Sequence, residues 1–305
     1  MTHCGYCAVI GAPNAGKSTL TNALVGSKVA IVSPKVQTTR MAVRGVAMAG
    51  DAQIVFVDTP GIFRPRRRLD RAMVGAAWAG AEDADAILLL VDAADLAAHD
   101  NSPAARDTAA ILDGLKAAKS KKTALVLNKI DGMKRTALLP LVERFRGEGV
   151  FEDVFLVSAL KGEGVADVRE WVRARMPEGP WLYPEDQAAD IPLRLLAAEI
   201  TREKIYLRLH DELPYASMVE TEKWEERKDG SVRIDQILYV QRDGQKAIAL
   251  GKGGKTIKTI GELARKELED LLGRRVHLFL FVKVREDWAE QREHYEQMGL
   301  EFPKE

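Results

Sequence analysis

Two glycine-rich stretches of this sequence each end in a lysine followed by a hydroxyl residue, a pattern that can bind phosphate. The first, "GAPNAGKS" at residues 11–18, fits the spacing G-x-x-x-x-G-K-[ST]. It follows an apolar run and precedes a helical one, so backbone N–H groups and a helix N-terminus can surround phosphate oxygens. In such a loop Lys17 bridges the β- and γ-phosphates and Ser18 ligates Mg²⁺. The loop residues predicted to bind a nucleotide are Asn14, Ala15, Gly16, Lys17, Ser18 and Thr19.

A second motif, "DTPG" at residues 58–61, ends another apolar run. An acidic side chain there can hold the metal ion through water, and we predict this role for Asp58. Gly61 can offer its amide to a γ-phosphate. These positions predict a site that distinguishes a nucleoside triphosphate from a diphosphate.

Two further motifs, "NKID" at residues 128–131 and "SALKG" at residues 158–162, indicate which base is bound. The Asp131 carboxylate can accept two hydrogen bonds from guanine N1–H and the 2-amino group. Adenine would leave it unpaired, which costs enough free energy to discriminate. The amide of Ala159 can meet guanine O6. The predicted base-site residues are Asn128, Lys129, Asp131, Ser158, Ala159 and Leu160.

The second glycine-rich stretch, "GKGGKT" at residues 251–256, does not fit the first pattern, because the required glycine is replaced by Ala249. Its spacing is G-x-x-G between two predicted helices, the signature of a KH domain, whose loop clamps about four unpaired nucleotides. Residues 241–285 carry 11 basic and 5 acidic side chains, although the whole chain has 45 of each. A local basic strip is the expected footprint of RNA. The predicted RNA-binding residues are Gly251, Lys252, Gly253, Gly254, Lys255 and Lys258.

The elements that must position these residues divide at about residue 178. Before it, short continuous apolar runs alternate with helical stretches, which predicts a mostly parallel α/β sheet of six strands with helices on both faces. The order after it is a helix, two strands around an Asp-Gly turn, two helices and a strand, which predicts an α+β domain. The predicted boundaries are 1–178 for the first domain, 179–189 for a proline-rich linker, 190–290 for the second domain and 291–305 for a tail.

Together, these motifs resemble the Era family within the translation-factor-related, Ras-like GTPases, and the resemblance covers almost the whole chain. It implies GTP and GDP as ligands with Mg²⁺, slow hydrolysis assisted by Lys17, Thr39 and Gly61, and a type II KH domain. It also implies binding to 16S ribosomal RNA near its 3′ end, a role in assembly of the 30S subunit, a monomer and a cytoplasmic location. The switch I segment at residues 35–45 supplies a threonine to Mg²⁺, either Thr39 or its neighbour Thr38.

The hydrolytic machinery departs from the Ras pattern, in which a glutamine after Asp-x-x-Gly orients the attacking water. Ile62 stands at that place here. The resemblance suggests K⁺ bound by Asn14 as one compensation, and a purely loop-shaping role of Asn14 is equally open. The arginine-rich stretch at residues 64–71 is either a functional element, a phosphate-binding patch or an arginine finger, or a solvated, mobile loop.

Two alternatives remain at this stage. A GTPase whose second domain docks a protein, with peripheral association to the inner face of the membrane, is open, although no basic amphipathic helix or lipidation motif favours it. Cys4 and Cys7 form C-x-x-C, which can be a redox or half-zinc motif. No second cysteine pair completes four zinc ligands, so two reduced thiols are expected.

Overall fold

The computed structural model describes residues 1–99, 101–118 and 122–303, which form two compact units. Unit 1 contains Met1–Val32, Thr39–Asp190 and Glu296–Glu305, and unit 2 contains Ser33–Thr38 and Ile191–Tyr295.

The strands of unit 1 are β1 His3–Gly11, β2 Val43–Ala49, β3 Ala52–Asp58, β4 Ala86–Asp92, β5 Thr123–Asn128, β6 Asp153–Val157 and β7 Ala189–Asp190. They form one sheet in the order β6-β5-β4-β1-β3-β2-β7. The central strands are parallel, and β2 pairs antiparallel with both β3 and β7. The helices are α1 Lys17–Val25, α2 Arg68–Asp83, α3 Ala93–Ala98, α4 Pro103–Ala117, α5 Arg135–Arg146 and α6 Val165–Arg173.

The predicted parallel α/β sheet with helices on both faces is confirmed. One apolar cluster lies between the sheet and the two helices α1 and α6. A second cluster lies between the sheet and helices α2 to α5. Because both faces are covered, the central strands are apolar at nearly every position, which made them recognisable in the sequence. Their carboxyl ends form one edge, where the motif-bearing loops emerge.

The seventh strand lies at the end of the segment predicted as a linker. β7 has two residues and pairs with β2 through Arg44 opposite Asp190. Upstream, the fully buried amide of Gln53 accepts hydrogen bonds from the backbone N–H groups of Leu182 (2.8 Å) and Tyr183 (3.0 Å). This part of the predicted linker is therefore bound to the sheet.

The elements of unit 2 are α7 Leu193–Arg208, β8 Met218–Glu226, β9 Val232–Val240, α8 Asp243–Leu250, α9 Lys255–Leu272, β10 Val276–Val284 and α10 Arg292–Gln297, of which Arg292–Tyr295 belong to this unit. They form an α+β unit with a three-stranded sheet in the order β10-β9-β8. β8 pairs antiparallel with β9, and β10 pairs parallel with β9. This is the element order expected for a type II KH topology.

The two units differ from the predicted domain boundaries. Unit 1 includes the predicted linker, extends to Asp190 and takes the C-terminal residues from Glu296. Unit 2 takes Ser33–Thr38 and extends to Tyr295 instead of ending at residue 290. Within unit 2, the buried Arg202 donates a hydrogen bond to the carbonyl of Thr38, and the Tyr206 hydroxyl donates to the carbonyl of Gln37 at 3.2 Å. Carbonyl contacts of this kind depend on backbone path and leave no mark in the sequence.

The cysteines of the C-x-x-C motif are free thiols buried in β1. Residues three apart on a strand project to opposite faces, so Cys4 and Cys7 do not form one chelating pair. Burial raises the pKa of the Cys7 thiol far above its ordinary value. In the part of the chain that the structure describes, no three His, Cys, Asp or Glu side chains group as metal ligands, and no helix has the length and apolar character to cross a bilayer.

Candidate functional site

The first glycine-rich loop connects β1 to α1 at the carboxyl edge of the sheet. Gly16 adopts φ 98°, and a Cβ there would lie 2.3 Å from Asn128 Nδ2, so only glycine fits. α1 begins at Lys17 with no side-chain cap and no acidic residue in its first turn. Its N-terminal amides are therefore available to an anion. Ala15 is buried in this loop, whereas Asn14 is exposed in a left-handed conformation at φ 62°.

Lys17 lies over the loop, where its Nζ donates to the carbonyls of Gly11 (3.2 Å) and Ala12 (2.9 Å). Its side chain is buried, and burial lowers its pKa to about 8, opposed by the charge of Asp58. A buried ammonium group is costly without a strong partner. Phosphate oxygens in this loop would offset that cost, which suits Lys17 for the predicted role.

Three oxygen-bearing side chains converge beside the loop. Ser18 Oγ lies 2.8 Å from Thr39 Oγ1 and donates to Asp58 Oδ2 at 2.7 Å, and Thr39 Oγ1 lies 3.4 Å from the same carboxylate oxygen. Among the described residues, the other oxygen, Asp58 Oδ1, has no hydrogen-bond partner although it is fully buried. Burial raises the pKa of Asp58 to about 6, despite the opposing hydrogen bond from Ser18. Hydroxyl and carboxylate oxygens around an unsatisfied buried oxygen fit a hard cation such as Mg²⁺.

The two candidate threonines of switch I differ in the position of their hydroxyl groups. Thr38 Oγ1 donates to the carbonyl of Lys35 at 2.7 Å and lies 2.6 Å from Ser33 Oγ. The Thr39 hydroxyl instead lies beside Ser18. The structure thus brings Thr39, and not Thr38, to the predicted metal ligands.

Asn128 ties the phosphate loop to the "SALKG" loop. Its Nδ2 donates to the carbonyl of Ala15 at 2.8 Å, and its Oδ1 accepts from the amide of Ala159 at 3.0 Å. In this arrangement the Ala159 amide donates to Asn128, whereas its predicted partner is guanine O6. The neighbouring Leu160 side chain is exposed.

The remaining base-site residues are held by short polar contacts. Ser158 Oγ donates to Asp131 Oδ1 at 2.7 Å, and this hydrogen bond lowers the pKa of Asp131, which keeps it ionised. Lys129 adopts φ 66° and its Nζ donates to Asp92 Oδ2 at 2.6 Å. Asp92 was not predicted from the sequence, although it is a carboxylate at the end of the apolar strand β4.

The residues after Asp58 pack closely against the phosphate loop. A Cβ on Gly61 would lie 3.0 Å from the Cα of Pro13. Ile62 is buried in the apolar cluster on the α2 side of the sheet, and its amide donates to the carbonyl of Gly11 at 3.1 Å. Its side chain therefore cannot hold a water for hydrolysis.

The second glycine-rich loop is open where the first is enclosed. A Cβ added to Gly253 (φ 61°) or Gly254 (φ 74°) would have no atom within 4 Å. Gly251 instead packs so tightly that an added Cβ would lie 2.1 Å from Thr256 Oγ1. α9 begins after Gly254 without a side-chain cap or an acidic first turn. Lys252, Lys255 and Lys258 are exposed around it, and Lys258 lies 3.9 Å from Glu262.

The fold and the two sites define a class of protein, a Ras-like nucleotide-binding domain joined to a KH domain. A family model described as a 50S ribosome-binding GTPase matches residues 6–129, and the KH domain model matches residues 212–289. GTPase Era of Caulobacter vibrioides is 60% identical over 308 residues, covering 99% of this chain and 97% of that protein. GTPase Era of Rhizobium meliloti is 60% identical over 303 residues, covering 99% and 94%. The chain therefore belongs to the Era family of GTPases.

Two solved structures extend the similarity to three dimensions. A crystal structure of Era in complex with MgGDPNP and nucleotides 1506–1542 of 16S ribosomal RNA matches with a TM-score of 0.90 and 38% identity, over 98% of this chain and 99% of that one. A variant of Aquifex aeolicus Era bound to GDP and AlF₄⁻ matches with the same TM-score, identity and coverage.

Proposed function

We propose that this chain is a GTP-controlled switch that binds 16S ribosomal RNA near its 3′ end and acts in assembly of the 30S subunit. The observation that carries the proposal is the pairing, in one chain, of an enclosed guanine nucleotide site with an open glycine loop. The Era structure with a 16S RNA segment, similar over almost the whole chain, supports this RNA as the ligand.

The RNA contact is assigned to the second loop. Because Gly253 and Gly254 have open space on their Cβ sides, an RNA backbone can approach the main chain there. The uncapped N-terminus of α9 and the exposed Lys252 and Lys255 attract phosphates.

A matched pair of substitutions tests this assignment by fluorescence anisotropy with an RNA of the 16S 3′ end. Gly253→Asp puts a carboxylate where phosphates would approach, and we expect at least tenfold weaker binding. Gly230→Asp is the control, because Gly230 (φ 79°) is equally open but lies in the β8–β9 turn. Equal RNA affinity of Gly253→Asp and the wild type would remove the loop from the RNA site. Crosslinking of the GTP-bound protein to 30S subunits then maps the contacted nucleotides.

The metal ion is assigned to Ser18, Thr39 and Asp58. When bound, Mg²⁺ neutralises charge on the β- and γ-phosphates. Ser18 and Thr39 would supply hydroxyl oxygens, and the unsatisfied Asp58 Oδ1 would act directly or through water.

For hydrolysis, the buried Ile62 leaves the attacking water to other groups. Thr39 and the switch I backbone can orient it, the Gly61 amide can contact the γ-phosphate, and Lys17 can stabilise developing negative charge. We expect a slow intrinsic rate, since no side chain at position 62 orients the nucleophile.

Binding of K⁺ by Asn14 is a separate part of the proposal. GTP hydrolysis measured in KCl and NaCl tests it, because equal rates would remove the ion from the mechanism. Asn14→Gly separates the two roles, since glycine keeps the left-handed backbone of Asn14 and removes only its side chain. If the ion binds there, this variant loses stimulation by K⁺. If Asn14 only shapes the loop, the variant keeps the wild-type rate in both salts.

The proposal includes action as a monomer in the cytoplasm. Light scattering of the GDP- and GTP-bound chain tests the oligomeric state. Peripheral association with the inner face of the membrane is a further expectation of the family resemblance. Sedimentation with vesicles, with and without RNase, would distinguish direct lipid binding from recovery through RNA.

A further inference from the structure

A single carboxylate at the carboxyl end of β4 accepts three hydrogen bonds. Asp92 Oδ1 accepts the amides of Ala94 and Asp95, each at 3.1 Å, and so caps α3. Its other oxygen, Oδ2, accepts from Lys129 Nζ at 2.6 Å. The register of β4 and β5 places Asp92 directly opposite Asn128, the residue before Lys129. Strand pairing therefore brings the Asp92 carboxylate close to Lys129.

Lys129 needs such an anchor. It adopts φ 66°, and its side chain is 42% exposed, against 19% for Asp92. A partly exposed lysine samples many rotamers, and fixing it costs side-chain entropy. With its ammonium group held by Asp92, the aliphatic stem is fixed before a ligand arrives, which reduces the entropy lost on binding.

We infer that Asp92 is a positioning residue for guanine nucleotide binding, acting through Lys129. Its carboxylate holds the Lys129 stem in the orientation in which it covers one face of the base. The inference rests on the proposed nucleotide site, in which Lys129 lies over guanine. It assigns no contact between Asp92 and the nucleotide.

Asp92→Asn tests the inference, because asparagine keeps the shape and can still cap α3 but removes the charge. A partly exposed ion pair is worth up to about 1 kcal/mol, so we expect about fivefold faster dissociation of fluorescent GDP in stopped-flow measurements. Binding of inosine diphosphate should be weakened by the same factor, because packing of the Lys129 stem on the base does not detect the 2-amino group. The KM for GTP should rise with kcat unchanged, because uniform binding is lost.

A double-mutant cycle shows whether Asp92 acts through Lys129. Lys129→Met keeps an apolar stem but cannot form the ion pair, so adding Asp92→Asn to it should have no further effect on GDP dissociation. Glu148→Gln is the control, because it also removes the charge of a carboxylate that pairs with a partly exposed lysine, Lys116 at 2.5 Å, and neither residue belongs to the predicted base site. It should leave GDP dissociation unchanged. Asp92→Ser, with another capping residue, replaces Asp92→Asn if that variant fails to fold.

The outcomes separate this inference from the proposed function. Wild-type GDP dissociation in both Asp92→Asn and Asp92→Ser would overturn the role of Asp92 alone. An undiminished effect of Asp92→Asn in the Lys129→Met background would also overturn it. No binding of GDP by the wild-type chain would overturn the proposed nucleotide site and this inference together.

Discussion

Replacement of Asn128 by alanine should disable nucleotide binding without any direct loss of a phosphate contact. Asn128 is 2% exposed and joins the carbonyl of Ala15 to the amide of Ala159. Removal of its side chain leaves both backbone groups unpaired in a buried site. Each unsatisfied group costs about 1–3 kcal/mol, so the organised site should lose about 2–6 kcal/mol, with water entry favouring the lower end.

Because about 1.4 kcal/mol corresponds to a tenfold change in an equilibrium constant, we expect GDP affinity to fall by about 30-fold or more. Equilibrium titration and stopped-flow dissociation of fluorescent GDP measure the change. Gly16→Ala should have a similar effect, because the added Cβ would lie 2.3 Å from Asn128 Nδ2 and would displace it.

Gln53→Ala is the matched control for Asn128→Ala. Gln53 is fully buried and also bonds backbone groups, the amides of Leu182 and Tyr183 and the carbonyl of Tyr183, but near the first residue of β3. It should lower the free energy of unfolding of unit 1 and leave GDP affinity unchanged. If Asn128→Ala weakened GDP binding by less than threefold, or Gln53→Ala weakened it equally, the tie between the two loops would not be what organises the site.

Three further predictions follow from the same geometry. Thr39→Ala should reduce Mg²⁺-dependent GTP hydrolysis about tenfold or more, because an oxygen ligand is lost, while Thr38→Ala should stay within about twofold of the wild type. A larger effect of Thr38→Ala than of Thr39→Ala would reassign the ligand to Thr38. Lys252→Ala should weaken binding to all single-stranded RNAs and lower the slope of log K against log salt by about 0.7, and an unchanged slope would place Lys252 away from the phosphates. Cys4 and Cys7 should not react with an aromatic disulfide reagent until the chain is unfolded in denaturant, because both are buried, and immediate reaction of either thiol would contradict their packing.

The strands and the motif loops could be predicted because one physical cause produces both. A sheet covered on both faces requires continuous apolar strands, and its carboxyl edge is where polar loops can reach a ligand. Asp58 and Asn128 each mark the end of such a strand, β3 and β5. Their roles depend on position along the edge, which the order of the motifs fixes.

Other features depended on the backbone path and could not be predicted. Thr38 and Thr39 are chemically identical neighbours, and only the turn at residues 33–38 directs one hydroxyl to Lys35 and the other to Ser18. β7 has only two residues and carries no periodicity, so its pairing with β2 is a long-range event. Asp92 was visible as a residue type, but its partner Lys129 lies 37 positions away.

The two glycine-rich loops differ in enclosure as well as in spacing, and this difference can be tested. Ala249→Gly would give the second loop the formal pattern G-x-x-x-x-G-K-T. Ala249 is fully buried inside α8, so glycine there should cost about 1 kcal/mol of stability. It should not create a nucleotide site, because Gly253 and Gly254 face open space and, among the residues that the structure describes, no enclosing partner corresponds to Asn128 over Gly16. Calorimetric titration should find one GDP and no ATP bound per chain in both wild type and variant. A second bound nucleotide in Ala249→Gly would show that spacing alone is sufficient, and that enclosure is not what separates a mononucleotide site from an RNA loop.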